Sequence, residues 1–373
     1  MRIAQIAPLY ESVPPTLYGG TERVVSYLTE ELVEQGHDVT LFASGDSITR
    51  ARLVPACSRA LRLQRESVID PLAHHIRLIE RVYCEVEAGN FDVLHFHIDY
   101  LHFPLTRRKM TPNITTLHGR LDLPDLVPLY REFNEMNLVS ISNSQRTPLP
   151  WANWRATVYH GLPENSYILQ ETPGKYLAFL GRIAPEKRVD RAIEIAKRAG
   201  IPLKVAAKID KADQEYFDAH IRPLFDDPIV EYIGEIGDHE KNHFLGNAYA
   251  LLFPIDWSEP FGLVMIEAMA CGTPVIAWRM GSVPEVIEHE TNGYIVNNVD
   301  EAVRAVERIG DLSRTACRKT FLERFTVRGM AANYANVYSA ILGEKSHDRA
   351  NAVENVWQNG IAAYSTVNDA GSY

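Results

Sequence analysis

The chain has 373 residues, 46% of them hydrophobic and 23% charged, the balance of a soluble globular protein long enough for two domains. A net charge of −10 argues against a nucleic-acid partner, which would call for a basic face. Four cysteines, Cys57, Cys84, Cys271 and Cys317, lack CxxC spacing, so they imply neither a zinc site nor a disulfide framework and fit a reducing compartment.

The segment 1–8 is too short and too interrupted for a signal sequence, and no apolar run reaches membrane-spanning length. A cytoplasmic location is therefore expected. Residues 2–7 read as a first buried strand, and a loop runs on to Gly20. Thr21 is placed to cap a helix in which Val24, Leu28 and Leu32 recur every four positions. Gly36 ends that helix and 39–43 is the next strand, which makes a parallel crossover unit. The loop before the helix carries Tyr18-Gly19-Gly20-Thr21-Glu22 rather than G-x-G-x-x-G, which disfavours a nicotinamide site. Gly19 and Gly20 either let backbone approach a ligand closely or form an ordinary turn.

Residues 50–65 hold five arginines (Arg50, Arg52, Arg59, Arg62 and Arg65) and no acid. They read as a solvated helix face; the alternative is a basic edge that meets an anionic acceptor or, peripherally, a membrane surface. In the strand-like run 91–97, His95 and His97 share a face. Without H-E-x-x-H, hydrogen-bonded histidines are favoured over a metal site. His118 ends the strand-like run 114–118, at the C-terminal edge where open α/β sheets bind ligands. Residues 161–174 show no periodicity and are placed as an interdomain hinge. The expected units are 1–165, 166–342 and a tail of 343–373, helical or disordered.

From residue 176 strands and helices alternate again, at 176–180, 189–199, 203–207, 214–225, 229–233, 250–253 and 275–277. A long helix is expected over 326–342. The fold class is thus α/β, with two doubly wound Rossmann-like domains facing a central cleft. Gly181-Arg182 and Lys187 follow the first strand of the second series, where fixed positive charge suits a diphosphate. No D-x-D triplet offers carboxylates for a metal held on such a group.

The stretch 258–277 is the most informative. Pro260 forces a loop at Glu259-Pro260-Phe261-Gly262, good helix formers run to Ala270, and Cys271-Gly272-Thr273-Pro274 stops the helix. The free N–H groups of Phe261, Gly262, Leu263 and Val264 make a phosphate seat at the helix N-terminus. Glu267 faces the same side one turn deeper and Glu259 precedes the helix, so a carboxylate flanks the seat on each side.

This E-x7-E stretch, with its Pro-Phe-Gly loop and its GTPVI exit, resembles the donor-binding signature of retaining glycosyltransferases of family 4, which have the GT-B fold. The resemblance extends over roughly 1–342. It implies that Gly19 and Gly20 close over the donor and that Arg182 and Lys187 clamp its diphosphate. Ile236 would lie at the base and Glu267 at the ribose. Glu259 would serve the sugar and the developing positive charge, and His118 would orient the sugar. Gly281, Glu285 and Gly293 also follow the pattern, whereas Ser282 and Ala207 stand where glycine is usual.

The implied reaction is hexose transfer from a nucleoside-diphosphate sugar, UDP-glucose or a close UDP-hexose, to a hydroxyl acceptor such as a saccharide or lipid-linked saccharide. It is metal-independent and needs no cofactor. GDP-mannose is the second donor. A nucleotide-sugar epimerase or a phosphorylase of the same fold, or a non-catalytic nucleotide-sugar-binding module, are the competing readings.

Overall fold

Buried apolar runs alternate with amphipathic helices through the computed structural model, which describes residues 1–64 and 68–344. The first sheet has seven parallel strands: β1 (Arg2–Ile6), β2 (Asp38–Ser44), β3 (Arg52–Cys57), β4 (Val93–Phe96), β5 (Asn113–Thr116), β6 (Leu138–Ser140) and β7 (Trp154–Thr157). Their order is β3-β2-β1-β4-β5-β6-β7. The second sheet has six: β8 (Leu177–Arg182), β9 (Leu203–Lys208), β10 (Val230–Gly234), β11 (Ala250–Phe253), β12 (Val275–Trp278) and β13 (Gly293–Val296). They also run parallel, in the order β10-β9-β8-β11-β12-β13.

Strand order reverses at the first strand of each sheet: β1 lies between β2 and β4, and β8 between β9 and β11. Ligands bind beyond the C-terminal strand ends at such points. Both are doubly wound α/β sheets, as expected. Helices cover both faces of a parallel sheet, so its strands are near-continuously apolar, and Ile3, Ala4 and Ile6 of β1 are all buried.

The first helix is Gly20–Glu34, starting two residues earlier than expected, with Gly19 rather than Thr21 at the cap position. Val24, Leu28 and Leu32 bury its inner face. A helix that begins at 327 and continues to 344 packs Val327, Met330, Tyr334, Tyr338 and Ile341 against Ile3, Val24, Val93 and Val139. The chain therefore returns to the first sheet after completing the second.

Among the elements that differ from the sequence reading, three bear on how the sequence is read. The expected helix over 214–225 is broken into Gln214–Tyr216, a π turn at Phe217–Ile221 and a 3-10 turn at Arg222–Asp226. Pro223, with no N–H to give, interrupts the ladder there. A helix at Pro71–Glu87 was not anticipated, although Asp70-Pro71 announces it: the Asp70 carboxylate accepts from the N–H groups of Leu72 (3.0 Å) and Ala73 (3.3 Å).

The arginine run is the third. Arg52 lies in β3 rather than on a helix, and distant acids meet each of the four described arginines: Arg50 with Glu30 (2.8 Å) and Glu34 (2.7 Å), Arg52 with Glu85 (2.7 Å), Arg59 with Asp46 (3.8 Å) and Arg62 with Glu11 (3.4 Å). A sequence run free of acids is thus paired in space, which favours the solvated reading over a basic edge. Arg65 and the tail beyond 344 lie outside the described residues. Among those residues no helix is long and apolar enough to cross a membrane.

Candidate active site

The Leu263–Ala270 helix follows β11 through the Glu259–Gly262 loop. Gly262 takes a left-handed φ of 82°, and a Cβ there would fall 2.8 Å from the Met265 methyl, so only glycine suits the turn that opens the helix. Phe261 is buried, with its ring 4.8 Å from that of His160 and 6.1 Å from that of Phe325, and this anchors the loop. At the other end Gly272 has φ 80°, and the Thr273 N–H donates to Ala268 O (2.8 Å), a reverse-turn cap of the kind expected.

The N-terminal turn of this helix opens into a cleft of about 680 Å³ between the C-terminal edges of the two sheets. Gly19, Gly20, His118, Arg182, Lys187, Ile236, Glu259, Glu267 and the Phe261–Val264 turn all line it, whereas His95, Gly281, Glu285 and Gly293 do not. The glycine-rich loop of the first sheet reaches the seat directly, since a Cβ on Gly20 would lie 3.8 Å from the Leu263 side chain. Ile236 follows β10 and is packed against the second core.

Both carboxylates have cationic partners. Glu259 Oε2 accepts from Lys187 Nζ and from Trp257 Nε1 (3.0 Å), and the Lys187 ammonium lies 4.8 Å from the Trp257 ring centre. Glu267, only 2% exposed, accepts from Lys241 Nζ at 2.7 Å. Lys241 also meets Asp238 (3.3 Å), which pairs with Arg23 on the first helix. A chain of alternating charge therefore crosses the cleft from Arg23 to Glu267.

Arg182 closes β8, and its charge is already shared. Its guanidinium meets Glu186 at 2.6 Å and both Asp210 and Asp213 at 3.5 Å. A diphosphate would have to compete with these carboxylates for Arg182, and with Glu259 for Lys187.

His118 lies two residues beyond β5, half-buried at the cleft. Its Nε2 is 2.9 Å from His97 Nδ1, and its ring stacks on His160 with centres 5.4 Å apart. Burial pushes its pKa down to about 3, so the imidazole is neutral at physiological pH. Both ring nitrogens of His95 and of His97 are hydrogen-bonded: His95 meets Tyr338 (2.8 Å) and Thr116 (2.7 Å), and His97 meets His118 and Gln5 (2.8 Å). That is the hydrogen-bonded reading of the H-x-H pair.

Trp257, Lys241 and His160 line this cleft, Gln5 supports it from behind through His97, and none of the four was anticipated. Trp257 is detectable from its place two residues before Glu259. The other three arrive from separate elements with no local signal.

Two family models match the chain: Glycosyltransferase Family 4 over residues 18–162 and Glycosyl transferases group 1 over residues 166–319. The chain is 25% identical to the N-acetyl-alpha-D-glucosaminyl L-malate synthase of Bacillus anthracis, over 89% of this chain and 96% of that protein. It is 26% identical to a phosphatidyl-myo-inositol mannosyltransferase of Propionibacterium freudenreichii, over 90% and 91%. Among solved structures it resembles the sucrose-phosphate synthase of Thermosynechococcus elongatus, with a TM-score of 0.76 at 17% identity over 92% of this chain and 100% of that one. It also resembles the glycosyltransferase AviGT4 of avilamycin A biosynthesis, with a TM-score of 0.68 at 23% identity over 92% and 98%. Two doubly wound sheets, a cleft between them and two family models that together span both halves lead to one conclusion: the chain belongs to the group 1, family 4 glycosyltransferases and has their GT-B fold.

Proposed function

We propose that the protein transfers a hexose from a nucleoside-diphosphate sugar, a UDP-hexose such as UDP-glucose, to a hydroxyl acceptor, retaining the anomeric configuration and using neither metal nor cofactor. The observation that carries this reading is the N-terminus of the Leu263–Ala270 helix, open to the cleft and flanked by Glu259 and Glu267. A helix N-terminus favours an anion, and its unpaired N–H groups suit phosphate oxygens. Arg182 and Lys187 add the fixed charge that a departing diphosphate needs in place of a metal. Glu267 is deep enough to hold ribose hydroxyls and Glu259 shallow enough to face the sugar.

In the reaction so read, the anomeric carbon–phosphate oxygen bond breaks as the acceptor oxygen bonds to the same face of the sugar. The acceptor's proton passes to the departing phosphate oxygen. No enzymic base is then required, which agrees with a neutral His118 whose burial makes it a poor acceptor of a second proton.

Two measurements test the reading. Thermal shift across a panel of nucleotide sugars should show UDP-glucose raising the melting temperature by several degrees, since saturation at 100-fold over Kd adds about 2.7 kcal/mol. GDP-mannose is the second arm, favoured by the mannosyltransferase among the relatives. No shift with any nucleotide sugar would remove the assignment. Arg182→Ala should weaken UDP binding about tenfold or more by calorimetry, the worth of a charge-assisted hydrogen bond. Unchanged UDP affinity would take Arg182 out of the site.

A further inference from the structure

A chain of buried hydrogen bonds links His118 to the helix that returns at 327. His118 Nε2 meets His97 Nδ1 at 2.9 Å, and His97 Nε2 meets Gln5 Oε1 at 2.8 Å. Gln5 Nε2 donates to the Tyr338 hydroxyl at 3.1 Å, and that hydroxyl meets His95 Nδ1 at 2.8 Å. His95 Nε2 then meets Thr116 Oγ1 (2.7 Å), which meets the Tyr334 hydroxyl (2.9 Å). Gln5, His95, Thr116, Tyr334 and Tyr338 are wholly buried and His97 is nearly so, so water cannot exchange with them easily.

Counting protons along this chain sets its direction. Gln5 Oε1 only accepts, so His97 Nε2 must donate to it. A neutral His97 then has a bare Nδ1, which must accept from His118 Nε2–H. That leaves His118 Nδ1 as a lone pair, and this atom is buried without a partner among the described residues. Turning the Gln5 amide over would reverse every bond and place an N–H at Nδ1 instead. A buried N–H without an acceptor is rarer than an under-used acceptor, which favours the first direction.

We propose that His97, Gln5 and Tyr338 are positioning residues that keep the His118 proton on Nε2 and so present Nδ1 as a hydrogen-bond acceptor to a hydroxyl of the donor sugar. The sugar part rests on the function proposed above; the tautomer does not. Tyr338 acts by accepting from Gln5 and so orienting its amide. The helix from 327 thereby sets a proton position at the cleft while belonging, in chain order, after the second sheet. His95 and His97 lie well below the ordinary histidine range through burial, in keeping with a network of neutral rings.

The test is a long-range proton–nitrogen spectrum of the full chain labelled in its histidines, with His118 assigned by comparison with His118→Ala. The expected result is a pyridine-type Nδ1 and a protonated Nε2 at His118. A protonated Nδ1 in the unsubstituted protein overturns the proposal outright. Gln5→Met removes the acceptor while keeping the side-chain length, and should give a mixture of His118 tautomers. It should lower kcat for sugar transfer about tenfold, the scale of one hydrogen bond, and leave the Kd for UDP unchanged. Tyr338→Phe, a smaller change to the packing, should move the same two readouts in the same direction. If both variants leave spectrum and kcat as they were, the three residues are structural only. If no nucleotide sugar binds while Nδ1 is pyridine-type, the donor assignment fails and the tautomer assignment stands.

Discussion

Glu259→Ala should lower sugar transfer by about 10² to 10³ while leaving UDP binding intact or slightly tighter, the magnitude seen when one preorganised group facing transition-state charge is removed. The carboxylate is only 12% exposed and shares its Oε2 between Lys187 and the Trp257 indole, so it is held in place before any sugar arrives. A preorganised anion stabilises positive charge growing at an anomeric carbon without reorganising as the bond breaks. Binding should respond in the opposite sense. With Glu259 gone, Lys187 loses the partner that competes with phosphate, and its charge becomes available to the diphosphate. The contrast between kcat and UDP affinity is therefore the diagnostic, and it is read from initial rates and calorimetry on the same sample. Glu259→Gln sharpens it: the amide still accepts from Trp257 but carries no charge, so a loss near that of alanine assigns the effect to electrostatics. Transfer within threefold of the unsubstituted protein in Glu259→Ala would remove Glu259 from the chemistry.

The legibility of this site divides along sequence separation. The Leu263 helix could be read because its signals are local: Pro260 forces the loop, Gly262 takes the positive φ, and Gly272 with Pro274 stops the helix. The alternating strands are local too, and reversal at β1 and β8 follows from the crossover habit of such chains. What escaped depends on pairs distant in the chain. Only Glu186 is near Arg182 in the chain, and it is β9 and the turn after it that bring Asp210 and Asp213 beside it as well. Lys241 has no visible relation to Glu267, and the Gln5–Tyr338 bond joins the first strand to the last described helix. The arginine run fails in the same way, since its acids lie on other elements. Charge read along a sequence reports composition; charge in the fold depends on which elements pack together.

The largest effect on stability is expected at Arg314, which touches neither the cleft nor a carboxylate. It opens the Arg314–Arg324 helix and is 7% exposed. Its guanidinium donates to Gln170 O, Ala248 O (3.0 Å), Gly246 O (2.7 Å) and Thr273 Oγ1 (2.7 Å). Thr273 follows the end of the Leu263–Ala270 helix, and Gly246 ends the Asp238–Gly246 helix, so one cation serves two helix C-termini where the dipole favours positive charge. Burial pushes its pKa down, yet arginine remains charged throughout the working range. Arg314→Met keeps much of the volume and strands four acceptors. Each unmet buried acceptor costs roughly 1–3 kcal/mol, and partial access of water brings the total to about 4 kcal/mol. For a unit of this size that corresponds to a fall in Tm on the order of 10 °C, measured by calorimetry in the absence of nucleotide. Arg314→Lys should recover less than half of it, because an ammonium cannot reach carbonyls spread around a planar fork. Below the transition, transfer rates should change little, since Lys187, Glu259 and the first turn of the helix are held by other contacts. A Tm within 2 °C of the unsubstituted protein in Arg314→Met would mean that water replaces the guanidinium at no cost, and that the two helix ends are held by packing alone.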